Sequence, residues 1–285
     1  FIQKAVGYSL TGSTREDCAF FCYGTGRNGK STFLETISDA LGDYATNIQP
    51  ETIMVKPGNN GPTSDLARLK GARFVTCPEP NDGVRLNEGL LKQLTGGDRL
   101  TASRKFENEF EFMPEFKLWM ATNHKPVIRG TDVGIWSRIR LIPFTVRIPD
   151  EKIDRNLKHK LRQELPGILK WAVDGCLMWQ REGLKMPQAV ASATAEYKSE
   201  MDVISAFLDA CCVLDPRGTE RAKDLFSAYA KWAKENNEYE MTSTKFGREL
   251  SKKFEKKHTR DGWFYLGVSL TEQCKPYQVV FGGKA

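Results

Sequence analysis

Near its start the chain carries Gly24-Thr25-Gly26-Arg27-Asn28-Gly29-Lys30-Ser31, followed by Thr32, residues whose types and spacing suit the grip of a triphosphate. The run matches the G-x-x-x-x-G-K-[ST] pattern of a P-loop. Glycines let backbone N–H groups close around phosphate oxygens, and the start of the following helix adds its dipole. Lys30 would neutralise the outer phosphates of ATP, and the Ser31 hydroxyl would take a place on Mg²⁺. The bland alternative is a glycine-rich turn that binds nothing, but a lysine followed by Ser31 and Thr32 has no packing purpose there. The flanks agree with the chemical reading. Ala19 to Tyr23 is a short apolar run that predicts a buried strand, and Phe33, Leu34, Ile37 and Leu41 share one helical face before Gly42 stops the helix.

Four further residues have types that would complete such a site. Glu79 follows a second apolar run, Arg73 to Cys77, where an acid could orient Mg²⁺ or polarise the attacking water. A solvated loop glutamate would look the same by itself; its spacing from a P-loop favours the catalytic role. Asn123 ends a third run, Phe116 to Thr122, and could bond a phosphate or the water, or merely make a local turn. Arg138 and Arg140 lead into a fourth run, Ile139 to Phe144, and alternate onto one face. A surface ion pair explains that placement as well as a role at a neighbour's ATP site does.

Buried strands that each end in a polar residue, with helices between them, predict an α/β fold around a parallel sheet whose ligand lies at the strands' C-terminal ends. Between the second and third strands, Asn87 to Leu94 reads as helix, and the alternation of Phe110, Phe112 and Phe116 predicts a β-hairpin. Helical spacing returns from Ile153 to Trp179, with Pro166 placed to start a second helix, and continues from Gln188 to Cys212. Asp215-Pro216-Arg217-Gly218 reads as a turn and domain junction. Beyond it come a helix with Leu225, Phe226, Tyr229 and Trp232 inward, and a second with Phe246, Leu250 and Phe254 inward. An Asp261-Gly262 turn then predicts a hairpin, so the tail reads as a winged helix. The expected division is 1–15 as the end of an upstream helical region, 16–150 as the ATPase core, 151–213 as a helical segment and 214–285 as the winged-helix-like domain.

With 40% hydrophobic and 27% charged residues, and no apolar run near the roughly 20 residues of a membrane span, the chain reads as a soluble, cytoplasmic globular protein. Seven cysteines without a CxxC pair, beside three histidines, argue for reduced thiols and against structural zinc. Starting at Phe1 in a helical pattern, the chain reads as part of something longer. The net charge of +6 is mild, but between Lys245 and Arg260 seven basic residues stand against two acidic ones. Lys245, Arg248 and Lys252 share a helix face there, suited to phosphate contact or kept for solubility.

The chain resembles the superfamily 3 helicases of the AAA+ class, in particular the phage, plasmid and poxvirus primase-helicases. The resemblance rests on the P-loop, on Arg73 to Glu79, on Leu91 to Asp98, on Phe116 to Pro126 and on Ile135 to Ile139, in that order. It implies that Glu79 is the catalytic acid, Asn123 the polar sensor, and Arg138 a finger acting across a subunit boundary of a hexameric ring. It also implies that a hairpin within Lys92 to Phe112 grips DNA in the ring's pore, with Arg104, Lys105 and Phe106 at its tip. The winged-helix end would bind duplex DNA or a partner. Two departures matter. Cys77 and Pro78 stand where a further Walker B acid is usual, so Ser31 and Glu79 are the Mg²⁺ candidates, and Ser137 replaces an arginine that sometimes doubles the finger.

The expected function is therefore an ATP-dependent DNA helicase acting on single-stranded and forked DNA, with a primase or polymerase upstream. The alternative is an initiator or loader that ATP merely switches. A small-molecule kinase would need a second pocket and an arginine-rich lid that the sequence does not offer.

Overall fold

Apolar runs and glycine punctuation resolve into two compact units, Phe1–Lys198 and Ser199–Ala285. The computed structural model describes residues 1–55, 64–104, 106–130, 132–236 and 238–275. Unit 1 runs α1 (Ile2–Ser9), β1 (Ala19–Tyr23), α2 (Lys30–Leu41), β2 (Ala45–Asn47), α3 (Pro50–Ile53), α4 (Ser64–Ala67), β3 (Phe74–Cys77) and α5 (Glu88–Thr95). It continues through β4 (Leu100–Ser103), β5 (Glu109–Phe112), β6 (Lys117–Thr122), α6 (Val133–Trp136), β7 (Ile139–Pro143), α7 (Leu157–Gln163) and α8 (Leu165–Glu182) into α9 (Gln188–Glu200). Five strands form one sheet in the order β2-β3-β6-β1-β7, every neighbouring pair parallel. The central strands β1 and β6 are buried along nearly their whole length, which is why they read as continuous apolar runs rather than alternating ones.

Trp119 of β6 holds the centre. Its ring stacks on Phe20 of β1 at 4.2 Å and lies 5.5 Å from Phe74 of β3 and 5.9 Å from Phe33 of α2. The indole N–H donates to Ser9 Oγ at 3.0 Å, so its polar atom is satisfied inside the core. One side chain thus binds three strands and the helix that follows the P-loop. Over the same core, α1 crosses α8 at backbone contact. A Cβ on Gly7 would lie 2.1 Å from Cys176 N, and one on Gly175 would lie 2.1 Å from Gln3 O, so neither position tolerates a side chain. Pro166 lies in the first turn of α8, as its sequence position predicts.

Unit 2 contains α10 (Val203–Cys211), β8 (Cys212–Arg221), α11 (Ala222–Glu235), α12 (Ser243–Leu250), β9 (Lys256–Thr259) and β10 (Gly262–Leu270). Its strands form an antiparallel sheet in the order β8-β10-β9. The core joins Phe207, Leu225, Tyr229, Phe246, Leu250 and Tyr265. Two expectations change here. The helical stretch from Gln188 breaks at Met201, and the Asp202 carboxylate caps α10 by accepting from Ser205 N at 3.1 Å. Asp215-Pro216-Arg217-Gly218 lies inside unit 2, not at its edge. Leu214 pairs with Val268 and Thr219 with Leu266, leaving residues 215–218 as a bulge in β8 opposite Gly267. Turn-forming residues are equally at home in a bulge, and only the partner strand distinguishes the two. Among the described residues no helix is long and apolar enough to cross a membrane.

At the end of β6 away from the P-loop, Lys117 is 1% exposed. Its ammonium donates to the carbonyls of Thr11, Ser13 (3.1 Å) and Glu115 (3.3 Å), and lies 4.5 Å from the centre of the Tyr8 ring. Burial, with Arg73 nearby, lowers its pKa to about 7. Below that pH Lys117 is charged in both folded and unfolded chains. Above it the unfolded lysine keeps the proton that the folded one gives up, so stability climbs with pH. Burial also holds Cys18, Cys22 and Cys77 near 12. Unfolded thiols ionise from about pH 8.5, so beyond that point the folded state binds more protons and stability falls. The melting temperature of the chain should therefore peak between about pH 8 and 9, and Lys117→Met should remove the rising limb. A wild-type profile flat from pH 7 to 8.5 would show that Lys117 does not titrate there.

Candidate functional site

Strand β1 must reverse into α2 within six residues, and the backbone does so through left-handed conformations at Gly26 (φ 96°), Arg27 (φ 49°) and Gly29 (φ 85°). Gly24 is fixed by contact. A Cβ there would lie 2.3 Å from Phe144 O and 2.4 Å from Asn28 Nδ2. The N-cap of α2 is Gly29, which offers no side-chain acceptor, so the first-turn amides are left for an outside anion. Arg27 is turned to an exposed ion pair with Asp150.

Lys30, 5% exposed, lies at the centre of this loop. Its ammonium donates to Gly24 O at 2.5 Å, Asn28 Oδ1 at 3.1 Å and Asn123 Oδ1 at 2.8 Å. Burial holds its pKa below the ordinary lysine value, and the charge of Glu79 pulls it partly back. Asn123, at the tip of β6, grips Glu79 with both of its donors: its backbone N–H reaches Oε1 and its Nδ2 reaches Oε2, each at 2.7 Å. A continuous polar relay therefore runs from Lys30 through Asn123 to Glu79. The strand order explains it, because β6 lies between β1 and β3 and puts the tip carrying Asn123 between the other two. Asn28 ties the loop to the strand beyond by donating from Nδ2 to Phe144 O at 3.0 Å.

The residues fit a magnesium nucleotide. A buried cation surrounded by neutral acceptors, with no carboxylate in ion-pair reach among the described residues, is arranged for an incoming polyanion. Ser31 lines a cavity of about 920 Å³ together with Thr76, Cys77 and Pro78, so the helix start faces the end of the strand that carries Glu79. A second hollow, about 310 Å³, opens beside Gly24 and Thr25 and is walled by Tyr23, Leu141, Pro143 and Phe144, with Lys125 and Glu196 at its polar edge.

Arg138 is not in this constellation. It immediately precedes β7, whose parallel register pairs Ile139 with Ala19 and Pro143 with Tyr23, so it lies at the strand's entry while the P-loop lies at the exit. Five residues at about 3.3 Å each separate the two ends. Its Nη1 donates to Gly134 O at 2.6 Å, and neither Arg138 nor Arg140 has an ion-pair partner among the described residues. The hairpin β4–β5 forms as the alternation predicts. At its tip Phe106 is 95% exposed and holds φ 67°, a strained conformation for a bulky residue. Arg104 stands 3.7 Å from Glu107, and Lys105 lies outside the described residues. In unit 2, Arg248 is exposed, Lys245 lies 4.9 Å over the Tyr239 ring, and Lys252 pairs with Glu249 at 2.7 Å.

Sequence reasoning did not find the grip of Asn123 on Glu79, nor the neighbouring pair of His124 with Asp82 at 3.5 Å. The run Asn123-His124-Lys125 at the strand tip was the available signal, but pairing across strands cannot be read along one.

Comparison with known proteins agrees with the division into two units. A family of unknown function (DUF5906) matches residues 22–138, and the Poxvirus D5 protein-like family matches residues 199–272. The chain is 27% identical over 295 residues to "Putative helicase 022R" of Frog virus 3 (isolate Goorha), covering 96% of this chain and 30% of that protein. It is 27% identical over 256 residues to "Putative helicase L207/L206" of Acanthamoeba polyphaga mimivirus, covering 83% of this chain and 27% of that protein. With "Putative primase C962R" of African swine fever virus (isolate Warthog/Namibia/Wart80/1980) the identity is 23% over 235 residues, covering 75% of this chain and 24% of that protein. The chain thus spans less than a third of these relatives. Its fold is similar to the apo A form of the NrS-1 C terminal region, with a TM-score of 0.52 and 15% identity over 73% of this chain and 51% of that one.

Removing the buried cation gives a direct test of the loop. Lys30→Ala should weaken binding of a fluorescent triphosphate nucleotide by about tenfold or more, the scale of one charge-assisted contact, as read by anisotropy titration. Unchanged affinity would mean that the loop does not hold phosphate.

Proposed function

We propose that this chain is the motor of an ATP-driven DNA helicase that assembles as a ring, hexameric in the simplest case, and hydrolyses ATP between adjacent copies. The observation that carries the reading is the relay Lys30–Asn123–Glu79 at the exit of three adjacent parallel strands, beside a loop shaped for phosphate. The order β2-β3-β6-β1-β7 supports an AAA+-like, superfamily 3 core, since it inserts a polar sensor strand between the P-loop strand and the strand of the acid. The helicase and primase names of the viral relatives point the same way.

In this reading ATP is the substrate and the amides from Gly24 to Thr32 hold its phosphates. Ser31, with Glu79 alongside, would hold Mg²⁺, which when bound would supply charge neutralisation at the phosphate oxygens. Glu79 accepts the proton of the attacking water and Asn123 sets its direction. Lys30 has three donors, all engaged with protein oxygens, so meeting the terminal phosphate requires it to release one of them. Release of Asn123 Oδ1 would report nucleotide occupancy to Glu79 through two hydrogen bonds. In this reading Arg138 serves a neighbour's nucleotide, and its distance from its own P-loop, at the opposite end of the strands, supports that role.

The strained, exposed Phe106 with Arg104 and Lys105 forms the moving grip on single-stranded DNA, a ring for bases beside charges for phosphates. Unit 2 is the winged-helix element, with Lys245, Arg248 and Lys252 on the phosphates of duplex or forked DNA. A primase or polymerase would work alongside the motor, as the primase name of one viral relative supports, and the whole would work in the host-cell cytoplasm.

Two measurements test this. Glu79→Gln should keep nucleotide binding within about threefold while DNA-stimulated hydrolysis falls about a hundredfold or more, the usual contribution of a positioned base. Mixing Lys30→Ala subunits with Arg138→Ala subunits should restore part of the hydrolysis that each lacks alone, because each supplies the half the other has lost. A chain that binds ATP yet displaces no strand from a fork, with or without hydrolysis, would be a switch and not a motor.

A further inference from the structure

The hairpin of β9 and β10 holds an aromatic ring and a set of cations that α12 does not account for. Cross-strand pairs are His258 with Trp263 and Lys256 with Tyr265, so these four side chains share one face. At the base of that face Tyr265 is 1% exposed, with its hydroxyl donating to Gly247 O at 3.0 Å and meeting Ser251 Oγ at 3.2 Å. The face is thereby clamped to the end of α12. Two residues nearer the tip, Trp263 is 49% exposed. Its ring stands edge-on to His258 at 4.7 Å, and the Lys256 ammonium lies 4.8 Å from its centre.

Cations lie on both faces of the hairpin, Lys256 on the face of the ring and Lys257, paired across with Phe264, on the other. Lys257 and Arg260 are exposed, and the ion pairs of the region use Lys252 and Lys253 instead. Among the described residues neither Lys256, Lys257 nor Arg260 has a carboxylate in ion-pair reach. Tyr265 and Val268 already fill the core of unit 2, and Trp263, outside that core, keeps about half of its surface open. An occupant of this surface must offer negative charge at the rim and a flat π face at the centre. A nucleic-acid strand meets both requirements. Within a duplex the base faces are hidden in the stack, so the ring selects a base that is unpaired, and the cations select the phosphates on either side.

We propose that the β9–β10 hairpin reads the junction of double- and single-stranded DNA, with Trp263 stacking on the first unpaired base and Lys256, on the same face, and Arg260, at the turn, on the flanking phosphates. This rests on unit 2 being a DNA-binding unit, and it assigns recognition of the junction to the hairpin while Arg248 of α12 and Lys252, two residues past its end, hold the duplex.

The test uses the full chain, with anisotropy titrations of a labelled fork and of a blunt duplex of the same paired sequence. Trp263→Ala should lower fork affinity about tenfold, equivalent to about 1.4 kcal/mol, and leave blunt-duplex affinity within about twofold. Trp263→Phe should recover most of the loss. 2-Aminopurine at the first unpaired position should be quenched by the wild-type chain and not by Trp263→Ala. Circular dichroism and melting temperature show whether each variant folds. Lys256→Ala and Arg260→Ala should each reduce the slope of log affinity against log salt by about one. Fork affinity unchanged in Trp263→Ala, equal losses on fork and duplex, or displacement by an acidic peptide from a chain that ignores DNA would overturn the proposal. If Arg248→Ala and Lys252→Ala weaken both DNAs while Trp263→Ala does nothing, the hairpin assignment alone falls. If none of these variants changes DNA affinity, the DNA-binding reading of unit 2 falls with it.

Discussion

A lysine ammonium buried at the exit of a parallel sheet must find partners or lose its charge, and Lys30 finds three neutral oxygens, two from the loop itself and one from the tip of β6. That constraint organises the candidate site. The loop cannot relax without stranding a cation, and the cation cannot turn to a new anion without letting go of an oxygen. Because Asn123 is one of the three and also grips Glu79, occupancy of the loop and the aim of the carboxylate are coupled through one amide side chain.

The sheet order turns this local coupling into an architecture. Inserting β6 between β1 and β3 brings three tips together from segments far apart in sequence, while Trp119 locks the same three strands and α2 from within. The opposite end of the sheet carries other chemistry, with Arg138 before β7 and the caged Lys117 before the body of β6. In a parallel sheet every strand has one end of each kind. A residue that leads into a strand lies away from a site built at the strands' exits, and Arg138 is such a residue.

Unit 2 solves a different problem. A short sheet and three helices share a small aromatic core, centred on Phe207, Tyr229 and Phe246. Its cations fall into two kinds. Lys252 and Lys253 are paired with Glu249 and Asp202, whereas those of the β9–β10 hairpin have no carboxylate in ion-pair reach among the described residues and stand near an exposed indole. Net charge along the sequence hides this division, because it counts paired and open cations alike.

Local pattern sufficed for much of what is described here. The P-loop, the four apolar strands, the helix starts at Asn87 and Pro166 and the Asp261-Gly262 hairpin are encoded within a few residues of themselves, where backbone sterics and hydrophobic period act. So was the choice of Glu79 and Asn123 as candidates, since both are polar residues at strand ends. What only the folded chain decided is everything that depends on strands meeting across the sheet. The bonds from Asn123 to Glu79 and Lys30, the bulge at 215–218 opposite Gly267 and the separation of Arg138 from the P-loop all depend on segments remote in sequence. Their partners are chosen by strand order and core packing, which no single stretch of residues contains.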